Sequence, residues 1–117
     1  MDGTALRPLH LGISVESIEA SVRWYGEMLG FTLLSDAEMP ALESRVAFLG
    51  NGSFQLELFQ HRRTLPLPPG RRTPNDDIRT QGTKHICFAH EDVPGLLAEL
   101  RRKGADVVME QVVKGKP

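Results

Sequence analysis

A chain of 117 residues, 40% hydrophobic and 25% charged, is long enough to bury one core without disulfide or metal staples. Its formal net charge of -1 gives no field that would gather nucleic acid or an acidic membrane, and no apolar run approaches the roughly 20 residues that cross a bilayer. One cysteine, Cys87, and a start at Met1–Thr4 without a basic-then-apolar leader fit a cytoplasmic protein in a reducing compartment.

Taken in chain order, Leu9 to Val15 alternates as a strand. Leu9, Leu11, Ile13 and Val15 share one face, and His10, Gly12 and Ser14 share the other. Ser17 is placed to cap a helix, because its hydroxyl can accept from an otherwise unpaired N–H. Ile18, Val22, Tyr25 and Leu29 form its apolar stripe, Trp24 and Tyr25 are expected to pack it, and Gly30 suits a left-handed stop. A second strand begins at Phe31–Leu34 and is expected to fray before Pro40. A third covers Arg45–Leu49. Asn51-Gly52 marks a tight hairpin, since both residues tolerate positive φ, and Phe54–Phe59 returns as a fourth strand. There Phe54, Leu56 and Leu58 oppose Gln55, Glu57 and Phe59.

From residue 62 to 82 the composition changes. The four prolines Pro66, Pro68, Pro69 and Pro74 and scattered arginines follow no period. So long a loop is either a linker between two halves or a flap over a site. His61, at its start, reads as a surface residue.

The opening pattern then returns. Lys84 to His90 alternates, with His85, Cys87 and Ala89 on one face and Ile86, Phe88 and His90 on the other. Cys87 reads as a small buried hydrophobe, and His90 as packed under the helix. Asp92 caps a helix with Pro94 in its first turn and Val93, Leu96, Leu97 and Leu100 as its stripe; Gly104 ends it. Ala105–Val113 is a further expected strand. Laid over one another at an offset of 75, His10 meets His85, Ser17 meets Asp92, Val22 meets Leu97 and Tyr25 meets Leu100. Agreement of period and caps makes this an internal repeat. In each opening strand the bulky side chains face a helix stripe, and the other face carries a histidine beside small residues.

These stretches carry a resemblance. His10-Leu-Gly-Ile-Ser-Val followed by Ser21-Val-Arg-Trp-Tyr-Gly-Glu-Met-Leu-Gly-Phe31 is similar to the opening of the vicinal oxygen chelate superfamily, with Trp24 where phenylalanine is usual. Gly82-Thr-Lys-His85-Ile-Cys-Phe with Leu97-Ala-Glu-Leu-Arg-Arg-Lys-Gly104 resembles its second half. The superfamily comprises glyoxalases, bleomycin-resistance proteins and extradiol dioxygenases. The resemblance implies an α+β fold in which two βαβββ modules curl a mixed sheet around a cleft. Here the 117 residues form one such domain: module one at about 6–61, the linker 62–82, and an incomplete βαβ second module at 83–117.

By the same resemblance, His10 matches the first-strand metal ligand of module one, Glu57 its fourth-strand ligand, and His85 the first-strand ligand of module two. The last ligand, usually glutamate, belongs to a closing strand that the 117 residues do not include. Three readings stay open: a fragment, a sheet completed by a partner chain, or a site with three protein ligands. Two imidazoles and a carboxylate suit Zn, Ni, Co, Mn or Fe(II), which can stabilise an enolate beside a chelated carbonyl. The base would be the absent glutamate or Glu57. Arg45 is the candidate to hold an anionic group of a small-molecule substrate.

The leading expectation is a metal-dependent lyase or isomerase of the glyoxalase or epimerase type. The alternatives are a metal-free drug-binding protein of the bleomycin-resistance type and an Fe(II) extradiol-type dioxygenase. A homodimer is expected, since an incomplete sheet leaves an open edge. The P-loop, G-x-G-x-x-G, paired C-x-x-C and G-x-S-x-G motifs are absent, and the arginines of the linker lie among prolines and acids, so no nucleic-acid partner is expected.

Overall fold

A computed structural model describes Gly3 and residues 5–111. The chain divides into two compact units, Met1–Arg79 and Thr80–Pro117. The boundary falls inside the expected linker, most of which belongs to the first unit.

The first unit is the expected βαβββ module: β1 (His10–Ser14), α1 (Ile18–Leu29), β2 (Thr32–Met39), β3 (Ser44–Asn51) and β4 (Phe54–His61). The strands form one mixed sheet in the order β1-β4-β3-β2, with β1 parallel to β4 and the other neighbours antiparallel. The alternation seen in the sequence decides which face is covered. Ala47, Leu49, Leu56 and Leu58 have no exposed surface, and Ile18 of α1 is 1% exposed, so the core lies between α1 and one sheet face. Opposite them, His10 and Gly12 of β1, Glu57 and Phe59 of β4, and Phe48 of β3 share the other face.

Both ends of α1 are set by the residues named for it. Ser17 Oγ accepts from the Ala20 N–H at 3.1 Å, and the Ile18 N–H donates to Gln60 Oε1 at 2.7 Å, which fastens the helix start to β4. Gly30 takes φ 72°, and its N–H donates to the Gly26 carbonyl. Tyr25 is half-buried against Phe31, edge to face at 5.9 Å between ring centroids, and burial pushes its phenol above the ordinary value. Trp24 rests on Tyr25 by its edge but stays exposed, so of the two aromatics expected to pack the helix it is Tyr25 that enters the interior.

Two details of the hairpins differ from the sequence reading. β2 does not fray before Pro40. It continues to Met39 because β3 pairs with it throughout, apart from a bulge at Leu34, and Pro40 then opens a 3-10 turn. The β3–β4 loop is Gly52-Ser53, one residue later than Asn51-Gly52, and only Gly52 uses positive φ (61°). That is the pattern of a type II′ turn, which needs glycine only at its first central position.

In the second unit, α2 (Val93–Arg102) forms as expected, with Asp92 Oδ1 accepting from the Gly95 N–H at 3.1 Å. The strand expected at Lys84–His90 is not formed, and residues 105–111 of the expected Ala105–Val113 strand are irregular too. Val113 lies outside the described residues. The physical reason is pairing: β1 has β4 beside it, whereas among the described residues of the second unit no strand is available to accept a ladder. Cys87 is consequently exposed instead of buried. His90 does not pack under α2; it is exposed, and its Nδ1 accepts from the Asp92 N–H at 3.0 Å, in the turn that starts the helix.

Candidate functional site

The uncovered sheet face brings two of the proposed ligands together. Parallel pairing sets Gly12 beside Glu57, and His10 lies two residues back along β1. From there His10 Nε2 reaches Glu57 Oε1 at 3.5 Å. The two side chains are partly open to solvent, 39% for His10 and 23% for Glu57. Phe48, directly across from Glu57 on β3, meets the imidazole edge to face at 5.5 Å between centroids and limits its rotation.

Space at the pair comes from Gly12. Its φ is not positive, so backbone geometry does not require glycine there. A Cβ at this position would stand 3.2 Å from Phe59 Cε2 and 3.9 Å from Glu57 Oε1. The missing side chain lets the Phe59 ring lie across β1 and leaves the carboxylate uncovered.

The spacing can be tested against metal geometry. Bonds of about 2.0–2.2 Å to nitrogen and oxygen at a tetrahedral ion put neighbouring donors roughly 3.4 Å apart. The His10–Glu57 separation therefore fits two ligands of one ion, and an imidazole with a carboxylate suits the borderline divalent metals. Among the described residues no group of three or more His, Cys, Asp or Glu side chains could hold a metal. His85 lies exposed in the second unit, in the irregular segment before α2.

Arg45, the proposed substrate-binding residue, sits on the other side of the sheet. It pairs with Gln60, two positions along β4 from the buried Leu58, which puts it on the face covered by α1. Its Nε and Nη2 donate to Asp36 Oδ1 and Oδ2 at 2.8 and 2.6 Å, and its Nη1 donates to Glu19 of α1. These hydrogen bonds, Asp36's first and Glu19's second, raise the guanidinium above its ordinary value. The bond to Arg45 likewise holds the carboxyls of Asp36 and Glu19 below their usual range. Arg45 thus joins α1, β2 and β3 and is turned away from His10 and Glu57.

A cleft of about 820 Å³ opens on the same face as the pair, toward the ends of β1 and β4. Ser14, Phe59 and His61 come from the sheet, and Arg63, Leu65, Leu67 and Arg72 from the segment after β4. The sequence reading left this segment open as linker or flap and assigned His61 to the surface; the structure makes them cleft wall. Glu43, at φ 47°, holds a carboxylate oxygen 3.8 Å from His61 Nε2, while His61 Nδ1 accepts from the Arg63 N–H at 3.0 Å. Proline-rich spacing hid this wall, because no period links Arg63 to Arg72. The face that Phe48 occupies is readable by counting back from the hairpin, whereas its contact with His10 depends on the β1–β4 pairing.

A βαβββ unit with a curled open sheet is the architecture of the glyoxalase fold. A glyoxalase family protein from Enterococcus faecalis superposes with a TM-score of 0.70 at 23% identity, covering 98% of this chain and 84% of that one. The chain belongs to the glyoxalase/bleomycin resistance protein/dioxygenase superfamily, whose family model matches residues 9–117. Among curated proteins it is 30% identical to the uncharacterized protein YaeR of Escherichia coli over 92 residues, 78% of this chain and 66% of that protein. It is 29% identical to a probable lactoylglutathione lyase of Synechocystis over 102 residues, 87% of this chain and 73% of that protein. Among the described residues no helix is long and apolar enough to cross a membrane.

Proposed function

We propose that this chain is a divalent-metal-dependent lyase or isomerase of the glyoxalase or epimerase type, acting on a small molecule with a carbonyl group. The observation that carries the reading is the His10 Nε2–Glu57 Oε1 separation of 3.5 Å on the open face of a sheet built as in this superfamily. A probable lactoylglutathione lyase among the relatives points the same way. His10 and Glu57 would hold the ion, and His85 is the third donor that the repeat singles out. The ion would supply Lewis acidity to a chelated carbonyl. The base would be Glu57, released from the ion, or the late glutamate of the family pattern, and Phe48 would keep the His10 imidazole oriented. A homodimer belongs to the same reading, because β1 and β2 end an open sheet and unpaired edges favour pairing with a second copy.

Elemental analysis of tag-free protein, beside the His10→Ala, Glu57→Ala and His85→Ala variants, tests it. Near-stoichiometric metal in the parent and loss in each variant is expected. A parent that takes up none of Zn, Ni, Co, Mn or Fe(II) would end the metal reading. Retention in His85→Ala alone would remove that residue from the ligand set. Light scattering that found a monodisperse monomer would remove the dimer. The second reading, a metal-free small-molecule binding protein, is favoured by the open cleft of mixed apolar and cationic lining next to the pair.

A further inference from the structure

The segment from Arg62 to Arg72 walls the cleft on which the second reading above rests, and the metal reading does not require it. Its start is fastened to the sheet end, where the Arg62 N–H donates to the Glu43 carbonyl at 3.0 Å and the Arg63 N–H to His61 Nδ1 at 3.0 Å. Its far end is clipped back on itself, with Arg72 Nε donating to the Leu67 carbonyl at 3.1 Å across a 3-10 turn at Pro69–Arg71. Pro66, Pro68 and Pro69 narrow the backbone choices between these anchors, so the wall is held in place before any ligand arrives.

Two kinds of surface line that wall. Leu65 is 90% and Leu67 49% exposed, an apolar pair left to water beside Pro66 and the Phe59 ring. The charged lining is Arg63, Arg72 and one carboxylate, Glu16, which leaves cationic charge in excess. The Arg72 bond to Leu67 uses Nε and leaves the outer nitrogens of its guanidinium for a ligand. Guanidinium groups beside apolar walls match a molecule with an oxyanion at one end and an apolar body.

Phe59 stands between this cleft and the His10–Glu57 pair. Its ring lines the cleft and also reaches the space above Gly12, next to Glu57 Oε1. His10, Gly12 and Ser14 follow one another on that face, so the cleft mouth at Ser14 lies roughly 13 Å along β1 from His10. We propose that this cleft is a binding site for small amphipathic oxyanions, carboxylate or phosphate ester, with Arg63 and Arg72 taking the anionic end and Phe59, Leu65 and Leu67 the apolar body. Its residues are different from the proposed metal donors, so it stands whether or not a metal binds.

Isothermal titration of the full chain, treated with chelator, tests the site with 4-phenylbutyrate, phenyl phosphate and the neutral 4-phenylbutyramide. Saturable binding of one or both anions is expected, at least tenfold tighter than the amide. It should weaken tenfold or more in the Arg63→Met/Arg72→Met double variant and stay within about threefold in His10→Ala and Glu57→Ala. Both arginines are exposed, so unchanged circular dichroism is expected in the double variant, and Leu65→Ser gives a second variant that weakens the anions without removing charge. The proposal is overturned if the acid and amide bind equally, if neither anion saturates, or if the double variant binds like the parent. Loss of anion binding in His10→Ala or Glu57→Ala would overturn the separation of the two sites. The metal reading fails by its own measurement, metal content, and not by this one.

Discussion

The two halves of this chain begin alike and end differently. Each opens with a histidine in an alternating run and continues into a capped helix, Ser17 on α1 and Asp92 on α2. In the first unit the run becomes β1, because β4 lies beside it and takes its hydrogen bonds from His10 to Ser14. In the second unit the matching run stays irregular and α2 buries no residue fully. Alternation states which side chains would share a face. It does not supply the partner that makes a strand, whereas a helix closes its hydrogen bonds within itself. The repeat is therefore expressed in the helices and caps, and only once in the sheet.

The strongest way to break this contrast is to cut one leucine from each unit. Leu56→Ala removes a residue with no exposed surface and should cost about 2–5 kcal/mol in urea unfolding. Leu97→Ala removes a half-buried one and should cost roughly 1 kcal/mol or less. Equal costs would mean that the second unit has a core of its own in solution. Hydrogen exchange sharpens the same point. The amides of Leu56 and Leu58 should be protected by orders of magnitude more than those of Ile86 and Cys87, which lie in the irregular segment. Protection at Ile86 and Cys87 that disappears on dilution would show that a second copy supplies a partner strand.

Most of the first unit could be read from sequence because its signals are local. Ser17, Gly30 and the alternations at His10–Ser14 and Phe54–Phe59 each need only neighbours to be interpreted. The hairpin makes more of the sheet legible than alternation alone. Its turn falls at Gly52-Ser53 instead of Asn51-Gly52, yet either turn pairs Arg45 with an even-numbered residue of β4, on the buried side with Leu58. The placement of Arg45 against α1 was thus available by counting. The same count puts Phe48 on the Glu57 face, while its contact with His10 also needs β1 to pair beside β4. What stayed illegible depends on tertiary neighbours: the bulge at Leu34, the missing strand at Lys84–His90, and the cleft wall from Arg63 to Arg72. The bulge is a case in point, since Leu34 lies over Gly50, where a Cβ would come within 2.9 Å of Leu34 Cδ1.

The caps offer a matched pair of smaller changes. Ser17→Ala should cost about 1 kcal/mol and move the whole unfolding midpoint, because the same helix start is tied to Gln60 of β4. Asp92→Ala removes a similar bond, yet it should lower helical signal by fraying α2 and leave the main transition where it is. Gly95→Ala refines this, because a Cβ there would stand 2.2 Å from Asp92 Oδ2 and force the capping carboxylate aside. Its gain in helix propensity then works against the lost cap, and the net change in α2 should be small. A shift of the main transition by Asp92→Ala would show that both units unfold together.

The smallest expected effect separates two arginines that both carry exposed ion pairs. Arg45 spans α1, β2 and β3, whereas Arg102 pairs with Glu99 within its own helix. Arg45→Met should lower stability slightly at low salt and hardly at all at high salt, and Arg102→Met should be undetectable in the main transition. The pH dependence fixes the sign. Arg45 holds the Asp36 and Glu19 carboxyls below their ordinary range in the folded chain, so the unfolded chain binds protons first as pH falls. Their contribution is complete above the ordinary carboxylate range and disappears as pH drops through the depressed folded values; Arg45 itself stays charged throughout. The acid limb of the stability curve should therefore be shallower in Arg45→Met than in the parent. The same comparison for Arg102→Met should leave the limb unchanged, because Glu99, although also held low by its arginine, reports only on α2. If both variants flatten the acid limb equally, the main transition includes α2, and the contrast between the two units lies in secondary structure alone.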